Sequence, residues 1–172
     1  MIVWLASELM FFSGLFAAWF TLRANAEGGV WPPEGVELAT ARTAGATVVL
    51  LASSAAMHLA VLSARRDDRA GSVRWLVVTV AMGSVFIANQ AWEYAEAPFQ
   101  IGSHAYGSIF YLMTGFHGLH VIGGLIFLLS IAGVIGGRSK APAERTVEMA
   151  AYYWHFVDVV WVAMFTVVYL VQ

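Results

Sequence analysis

The chain has 172 residues, of which 60% are hydrophobic and 12% are charged, and its mean hydropathy is +0.72. Soluble domains carry about 25% charged residues, so this composition excludes an ordinary soluble domain and indicates an integral membrane protein. The net charge of -2 and the absence of a basic tract argue against a nucleic-acid partner, because such binding depends on Lys and Arg neutralising phosphates. The chain has no cysteine, which rules out disulfides and thiolate-bound metals.

Five apolar segments are long enough to cross a bilayer as helices, which takes about 20 residues each. In chain order they cover residues 2–22, 43–64, 75–95, 105–135 and 147–171. They leave almost nothing for a water-soluble domain, so we expect a single all-α transmembrane domain, a five-helix bundle over residues 1–172. The first segment is expected to remain in the mature chain, because a signal peptide begins with basic residues, whereas no Lys or Arg precedes Arg23.

The basic residues of the loops predict the orientation in the membrane, because loops rich in Lys and Arg remain in the cytoplasm. Seven of the nine basic residues follow the second and fourth segments: Arg65, Arg66, Arg69, Arg74, Arg138, Lys140 and Arg145. The other two, Arg23 and Arg42, lie on the opposite side. The pattern therefore predicts a cytoplasmic N-terminus and a C-terminus outside.

The first loop contains the sequence Trp31-Pro32-Pro33. Two prolines remove amide donors and favour an extended backbone. Two interpretations stay open, an ordered cap on the outer end of the bundle and a plain turn, and the physical chemistry of the residues alone favours the plain turn.

Pairs of small residues at helical spacing predict close contacts between helices in the membrane. The pairs are Gly14/Ala18, Ala52/Ala56, Gly115/Gly118 and Gly133/Gly137. They indicate a packed bundle rather than five independent spans.

Seven ionisable residues lie within the apolar segments: Glu8, His58, Glu93, His117, His120, His155 and Asp158. A charge at the bilayer centre costs between about 2.5 and more than 10 kcal/mol, so each group must be neutral, paired or hydrated. A helical rise of about 1.5 Å per residue brings Glu8, His58 and His155 to a similar depth. We therefore expect these three to form one buried polar cluster, in which Glu8 contacts His58 or His155. Asp158 is expected nearer mid-membrane, and Glu93 near the outer end, where water is available.

These residues allow three functional interpretations. A metal site is disfavoured, because a di-iron site in a helix bundle requires Glu-x-x-His on two helices, and the sequence has none. A proton path is supported by the carboxyl and imidazole groups themselves. A polar clamp that fixes the register of the helices is slightly favoured from the residues alone. Phosphate loops, activated nucleophiles and dinucleotide motifs are missing from the sequence, so catalysis by this chain alone is not expected.

Five motifs follow one another along the chain: "WLASELMFFSGLFAAWF", "WPPEG", "EYAEAPF", "YGSIFYLMTGFHGLHVIGG" and "YYWHFVDVVW". In this order they resemble subunit III of haem-copper cytochrome oxidases over nearly the whole chain. Five spans resemble the shorter bacterial form of that subunit, which lacks the first two helices of the seven-helix form. Glu8 matches the buried carboxylate of the family, His117 and His120 match its "FHGLHV" pair, and His155 and Asp158 match its "WHFVD" motif.

The resemblance implies a non-catalytic subunit without haem or copper of its own, because those groups belong to partner subunits. It implies contacts with catalytic subunit I, with other oxidase subunits and with bound phospholipid, and it implies support of proton uptake. The complex would oxidise cytochrome c, reduce oxygen and translocate protons in the aerobic electron transport chain of a bacterial plasma membrane. Subunit III of a quinol oxidase is the alternative, and an independent redox or proton-carrying membrane protein is a third hypothesis.

Overall fold

A computed structural model describes residues 2–137 and 142–171, so Arg138 and Lys140 of the orientation argument lie outside the described residues. The chain forms α1 (Ile2–Ala24), α2 (Thr40–Arg65), α3 (Arg69–Glu96), α4 (Ala105–Gly136) and α5 (Ala143–Phe165). A π-helical segment, Thr166–Leu170, continues α5, and a 3-10 turn, Glu27–Gly29, follows α1. The described ranges contain five helices long and apolar enough to cross a membrane and no strand, which confirms the predicted all-α transmembrane fold class.

The helices extend beyond the apolar segments at several ends. α3 begins at Arg69 rather than at residue 75, and α5 begins at Ala143 rather than at residue 147. The first turn of α3 is capped by Asp68, whose carboxylate accepts a hydrogen bond from the Gly71 amide at 2.8 Å. Hydropathy detects the part of a helix that suits hydrocarbon, whereas backbone hydrogen bonding continues into the polar turn beyond it.

Helices α2 to α5 form a four-helix ring, and α1 packs on its outside. α2 contacts α3 and α5, and α4 contacts the same two helices, so α2 and α4 lie diagonally opposite each other. α1 packs against α4 and makes a smaller contact with α5, where Trp4 stacks on Tyr153 with 5.4 Å between ring centroids. Only 11% of the apolar window of α1 is buried, against 33% or more in the other helices. Most of the surface of α1 therefore faces away from this chain.

The indole of Trp154 on α5 lies between α3 and α4. A Cβ added at Gly83 of α3 would lie 2.7 Å from this indole, and one added at Gly124 of α4 would lie 3.0 Å from it. Trp154 is fully buried, and its Nε1 donates a hydrogen bond to Ser53 of α2 at 2.9 Å. The two glycines therefore provide the space that allows one side chain to contact three other helices.

The predicted small-residue contacts at Gly14, Gly118 and Gly133 are wrong. A Cβ added at any of these positions would meet nothing within 4 Å. The spacing of small residues marks a stripe on a helix, but it does not determine whether that stripe faces another helix of the same chain. The close contacts lie at Gly83 and Gly124 instead.

The loop after α1 covers one end of the bundle. The ring of Trp31 packs against Trp19 of α1 and Tyr106 of α4, with centroids 5.3 and 5.1 Å away. Both partners are completely buried. Of the two interpretations of the "WPPEG" loop, the structure supports the ordered cap, because the tryptophan before the prolines fixes the loop to two helices.

Candidate functional site within the membrane-spanning helices

Glu8 of α1 and His120 of α4 form a hydrogen-bonded pair on the outer face of the bundle. Oε2 of Glu8 lies 3.0 Å from Nε2 of His120, and the two side chains are 22% and 18% exposed. Nδ1 of His120 lies 2.7 Å from the carbonyl oxygen of Phe116. A carbonyl can only accept, so Nδ1 must carry a hydrogen and donate it.

This arrangement places one shared proton between Glu8 and His120. Because Nδ1 already carries a hydrogen, a hydrogen bond at Nε2 requires either an imidazolium that donates to the carboxylate or a carboxylic acid that donates to neutral imidazole. The pair is neutral overall in both forms, which suits a site in the membrane. It can join two helices and can also hold or release a proton.

The expected contact of Glu8 with His58 or His155 is wrong. α1 packs on α4 and only slightly on α5, whereas His58 lies on α2, which makes no substantial contact with α1 in the described structure. Residue depth places groups at the same height but does not fix the rotation of the helices about their axes. The partner of Glu8 is instead His120 on α4, the helix against which α1 packs.

Ser54 of α2 links His155 and Asp158 of α5. Its hydroxyl oxygen lies 2.8 Å from Nδ1 of His155 and donates to Oδ2 of Asp158. Because a serine hydroxyl has one hydrogen, its donation to Asp158 requires Nδ1 of His155 to donate to Ser54. Asp158 is only 3% exposed, and its second oxygen, Oδ1, is buried without a partner among the described residues. The motif residues thus form a connected polar chain with one unsatisfied end.

His58, which was expected in the buried cluster, lies on the exposed face of α2. It follows Ser54 by four positions and therefore lies on the same side of α2, one helical turn further along. This chain alone does not bury it. Ser54 and His58 therefore place two polar side chains on the same side of α2.

Glu93 of α3 is a buried carboxylate, although its position near the end of a helix predicts access to water. It is 3% exposed, and it accepts hydrogen bonds from Tyr169 at 2.6 Å, from Thr43 at 3.2 Å and from Gln90 at 3.4 Å. The nearby Arg42 donates to Glu96 at 2.5 Å. Three neutral donors from α2, α3 and the C-terminal segment thus surround Glu93. The spacing of Gln90 and Glu93, three residues apart on one helical face, was the signal in the sequence.

His117 of α4 is enclosed by aromatic rings. It is 1% exposed and stacks on Trp161 with 5.0 Å between centroids, while Phe12 and Phe86 approach edge-on. Neither ring nitrogen has a hydrogen-bond partner among the described residues. Phe12 also contacts the ring of His120, with 5.2 Å between centroids, so the two histidines share this neighbour, whereas only His120 has a carboxylate partner.

Metal-ligating side chains do not cluster in the described part of the chain. Over residues 2–137 and 142–171, no group of three or more His, Asp or Glu side chains comes together in an arrangement that could hold a metal ion. The ring of Phe12 contacts both His117 and His120, while Phe86 and Trp161 close off the ring of His117.

The family model described as "Cytochrome c oxidase subunit III" matches residues 1–172. The chain belongs to the cytochrome c oxidase subunit III family. A Mycobacterium tuberculosis protein named probable cytochrome c oxidase subunit 3 is 49% identical over 175 residues, which cover 99% of this chain and 86% of that protein. A Nocardia farcinica protein with the same name is 46% identical with the same coverage. A Thermostichus vulcanus cytochrome c oxidase subunit 3 is 39% identical, covering 99% of this chain and 85% of that protein.

Membership of the subunit III family confirms the resemblance on which the functional expectation depended. The chain is a membrane protein of a respiratory oxidase complex, and it functions together with other oxidase subunits. The relatives are named for cytochrome c oxidase, so the quinol oxidase alternative is not favoured. The individual roles of Glu8, His58, His117, His120, His155 and Asp158 remain predictions.

Proposed function

We propose that this chain is the non-catalytic subunit III of a complex that oxidises cytochrome c, reduces oxygen to water and translocates protons across a bacterial plasma membrane. The observation that carries the proposal is the match of the subunit III family model to residues 1–172. The names of the curated relatives support the electron donor. Haem and copper belong to the partner subunits in this proposal.

The first role that we propose is mechanical, namely stabilisation of catalytic subunit I. Polar contacts within the helices join segments far apart in sequence: Glu8 with His120, Ser54 with Asp158, and Glu93 with Tyr169. Each pair connects two elements of the bundle and resists sliding of one helix along another. A rigid bundle of this kind presents a fixed surface to a neighbouring subunit.

The second role is support of proton uptake, and the Glu8–His120 pair is the candidate group. The pair holds one proton without net charge, and both side chains retain partial exposure. An adjacent apolar cavity of about 330 Å³ is lined by Trp4, Gly123, Phe127 and Tyr153. Its size and apolar walls suit a phospholipid acyl chain, which we propose as its occupant.

The proposal is tested by purifying the tagged chain from its native membrane in mild detergent. We expect the purified material to contain further chains, to show haem and copper spectra and to oxidise reduced cytochrome c with consumption of oxygen. Removal of this chain should leave haem in the remaining complex and shorten the period over which turnover continues. A chain that purifies alone, or that carries a stoichiometric haem by itself, would overturn the proposal.

A further inference from the structure

The first turn of α4 is capped by a histidine. His104 has an extended backbone, and its Nδ1 accepts a hydrogen bond from the Gly107 amide at 2.8 Å. Ser, Thr, Asp and Asn usually occupy this position of a helix. α3 has such a cap, because the Asp68 carboxylate accepts from the Gly71 amide at the same distance. The two caps lie at opposite ends of the bundle, and of the two only the cap of α4 has an acceptor of a type that titrates near neutral pH.

The hydrogen bond from Gly107 fixes the protonation state of His104. An amide N–H can only donate, so Nδ1 must offer its lone pair, and the hydrogen of the neutral ring lies on Nε2. Protonation places a second hydrogen on Nδ1, which removes the acceptor and brings two N–H groups against each other. It also places a positive charge at the N-terminus of α4, where the helix dipole disfavours it. The cap is therefore present when the ring is neutral and is lost as the pH falls.

The turn that this cap holds is attached to the "WPPEG" loop. Gly107 lies so close to the loop before α4 that an added Cβ would be 2.7 Å from the carbonyl oxygen of Gln100. The ring of the preceding residue, Tyr106, is completely buried and packs against Trp31 with 5.1 Å between centroids. Loss of the cap therefore loosens the turn on which Trp31 of the loop packs.

A cavity beside His104 contains a second partner for its ring. The cavity has a volume of about 570 Å³ and is bounded by the end of α1, the "WPPEG" loop and the start of α4. Glu34 of the loop lines it together with His104, and among the described lining side chains only Tyr106 is a further titratable group. Phe99, which packs on the ring of His104 with 5.5 Å between centroids, is apolar. The imidazolium form of His104 therefore has a carboxylate, Glu34, in the same cavity.

We propose that His104 is a pH-sensitive switch, which caps α4 as neutral imidazole and, as imidazolium, leaves Gly107 and pairs with Glu34. On the predicted orientation this end of the bundle faces the outside, to which the proposed complex delivers protons. Acidification on that side then loosens the "WPPEG" loop. The protonation step involves only residues of this chain, so the switch goes beyond the proposed function and can be tested separately from it.

The first test is hydrogen/deuterium exchange of the purified complex, measured by mass spectrometry on peptides from the first turn of α4. His104→Asn is the comparison, because Asn is a good helix cap and does not titrate. Native and variant chains are compared at the same pH, so the effect of pH on intrinsic exchange cancels. We expect equal exchange at about pH 7.5 and several-fold faster exchange in the native chain at about pH 5.5, since imidazole titrates between these values. The same native-to-variant ratio at both pH values would overturn the switch.

Peptides from the first turn of α3 provide an internal control, because the Asp68 cap is the same in both proteins. We expect these peptides to exchange equally in the two proteins at either pH. If His104→Asn does not accumulate, His104→Asp replaces it, since Asp is an equally good cap. Co-purification of haem-containing subunits decides the proposed function independently of the exchange ratio.

The second test addresses the alternative partner. Glu34→Gln removes the carboxylate, so protonated His104 loses its partner, and we expect the rise in exchange to occur at more acidic pH than in the native chain. Glu37→Gln is the matched control, because Glu37 is exposed in the same connection between α1 and α2 but lines a different cavity, beside Arg42. This control should leave the transition unchanged. Equal transitions in the native chain and both variants would overturn the pairing with Glu34.

Discussion

Oε2 of Glu8 and Nε2 of His120 lie 3.0 Å apart, although 112 positions separate the two residues in the sequence. Nδ1 of His120 donates its hydrogen to the backbone carbonyl of Phe116. The hydrogen bond at Nε2 therefore requires one further proton, which the carboxyl and imidazole groups share. Two roles rest on the same atoms. The pair connects α1, the least buried helix, to the four-helix ring, and it is the group for which we propose a role in proton uptake.

Replacement of Glu8 separates these two purposes. In Glu8→Gln the amide can donate to Nε2 of His120, so we expect assembly to be preserved, while steady proton uptake by the complex slows because the amide cannot release a proton. Glu8→Ala removes the hydrogen bond and should weaken attachment of α1 by about 1 kcal/mol. Proton uptake in reconstituted vesicles and subunit retention in detergent are the measurements. Unchanged turnover in Glu8→Gln would remove the proton role, and loss of assembly in that variant would favour the clamp.

The packing around Trp154 predicts that Gly→Ala substitutions differ in their effect on stability, depending on whether the glycine contacts the indole. We expect Gly83→Ala and Gly124→Ala each to lower the stability of the bundle by about 1 to 3 kcal/mol, because the added methyl group would overlap the buried indole. Gly118→Ala is the control, since its methyl group would meet nothing within 4 Å. Thermal unfolding of the purified complex in detergent measures the effect. Equal stability of all three variants would show that the indole has room to move.

The hydrogen bonds to Glu93 predict that removal of a single donor hydroxyl group lowers the stability of the bundle. Tyr169→Phe deletes the 2.6 Å hydrogen bond to the buried carboxylate and is expected to lower stability by about 1 kcal/mol. Tyr152→Phe makes the same chemical change at a side chain that is 64% exposed and should have little effect. The measurement is the midpoint temperature of thermal inactivation of the complex, determined for both variants. Similar midpoints for both variants would mean that the remaining donors compensate fully.

The predicted orientation can be tested by labelling, because the natural chain has no cysteine. Ser103→Cys lies in the exposed loop between α3 and α4, and Ala70→Cys lies at the exposed start of α3. If the N-terminus is cytoplasmic, a membrane-impermeant maleimide should label Ser103→Cys in intact cells and Ala70→Cys only after permeabilisation. The reverse pattern would place the N-terminus outside.

The fold class was predictable from the sequence because hydrocarbon thickness determines how long an apolar segment must be. Five segments predicted five helices, and the differences at the ends of α3 and α5 arose where polar turns continue the helix. The sites of close packing were less predictable. Gly83 and Gly124 belong to no pair noted in the sequence, because their importance depends on where the Trp154 indole lies.

The position of a polar residue along its helix predicts its depth in the membrane but not its neighbours. Depth along each helix predicts that Asp158 lies nearer mid-membrane, but it did not predict the partner of Glu8, which depends on the rotation of α1 and on which helix lies beside it. The position of Glu93 near a helix end predicts contact with water, but the fold surrounds its carboxylate with hydrogen-bond donors from three segments. Neighbours in space, rather than depth, determine these environments.

Three polar side chains of α2 and α3 accept hydrogen bonds from aromatic donors in the last part of the chain. The pairs are Thr47 with Trp161, Ser53 with Trp154, and Glu93 with Tyr169. A ribosome makes those donors last, so α2 and α3 enter the bilayer before their partners exist. A nascent chain interrupted before α5 would therefore lack these links between helices. Thr47 and Ser53 would bond only the backbone of α2, and Glu93 would keep Thr43 and Gln90 but not Tyr169.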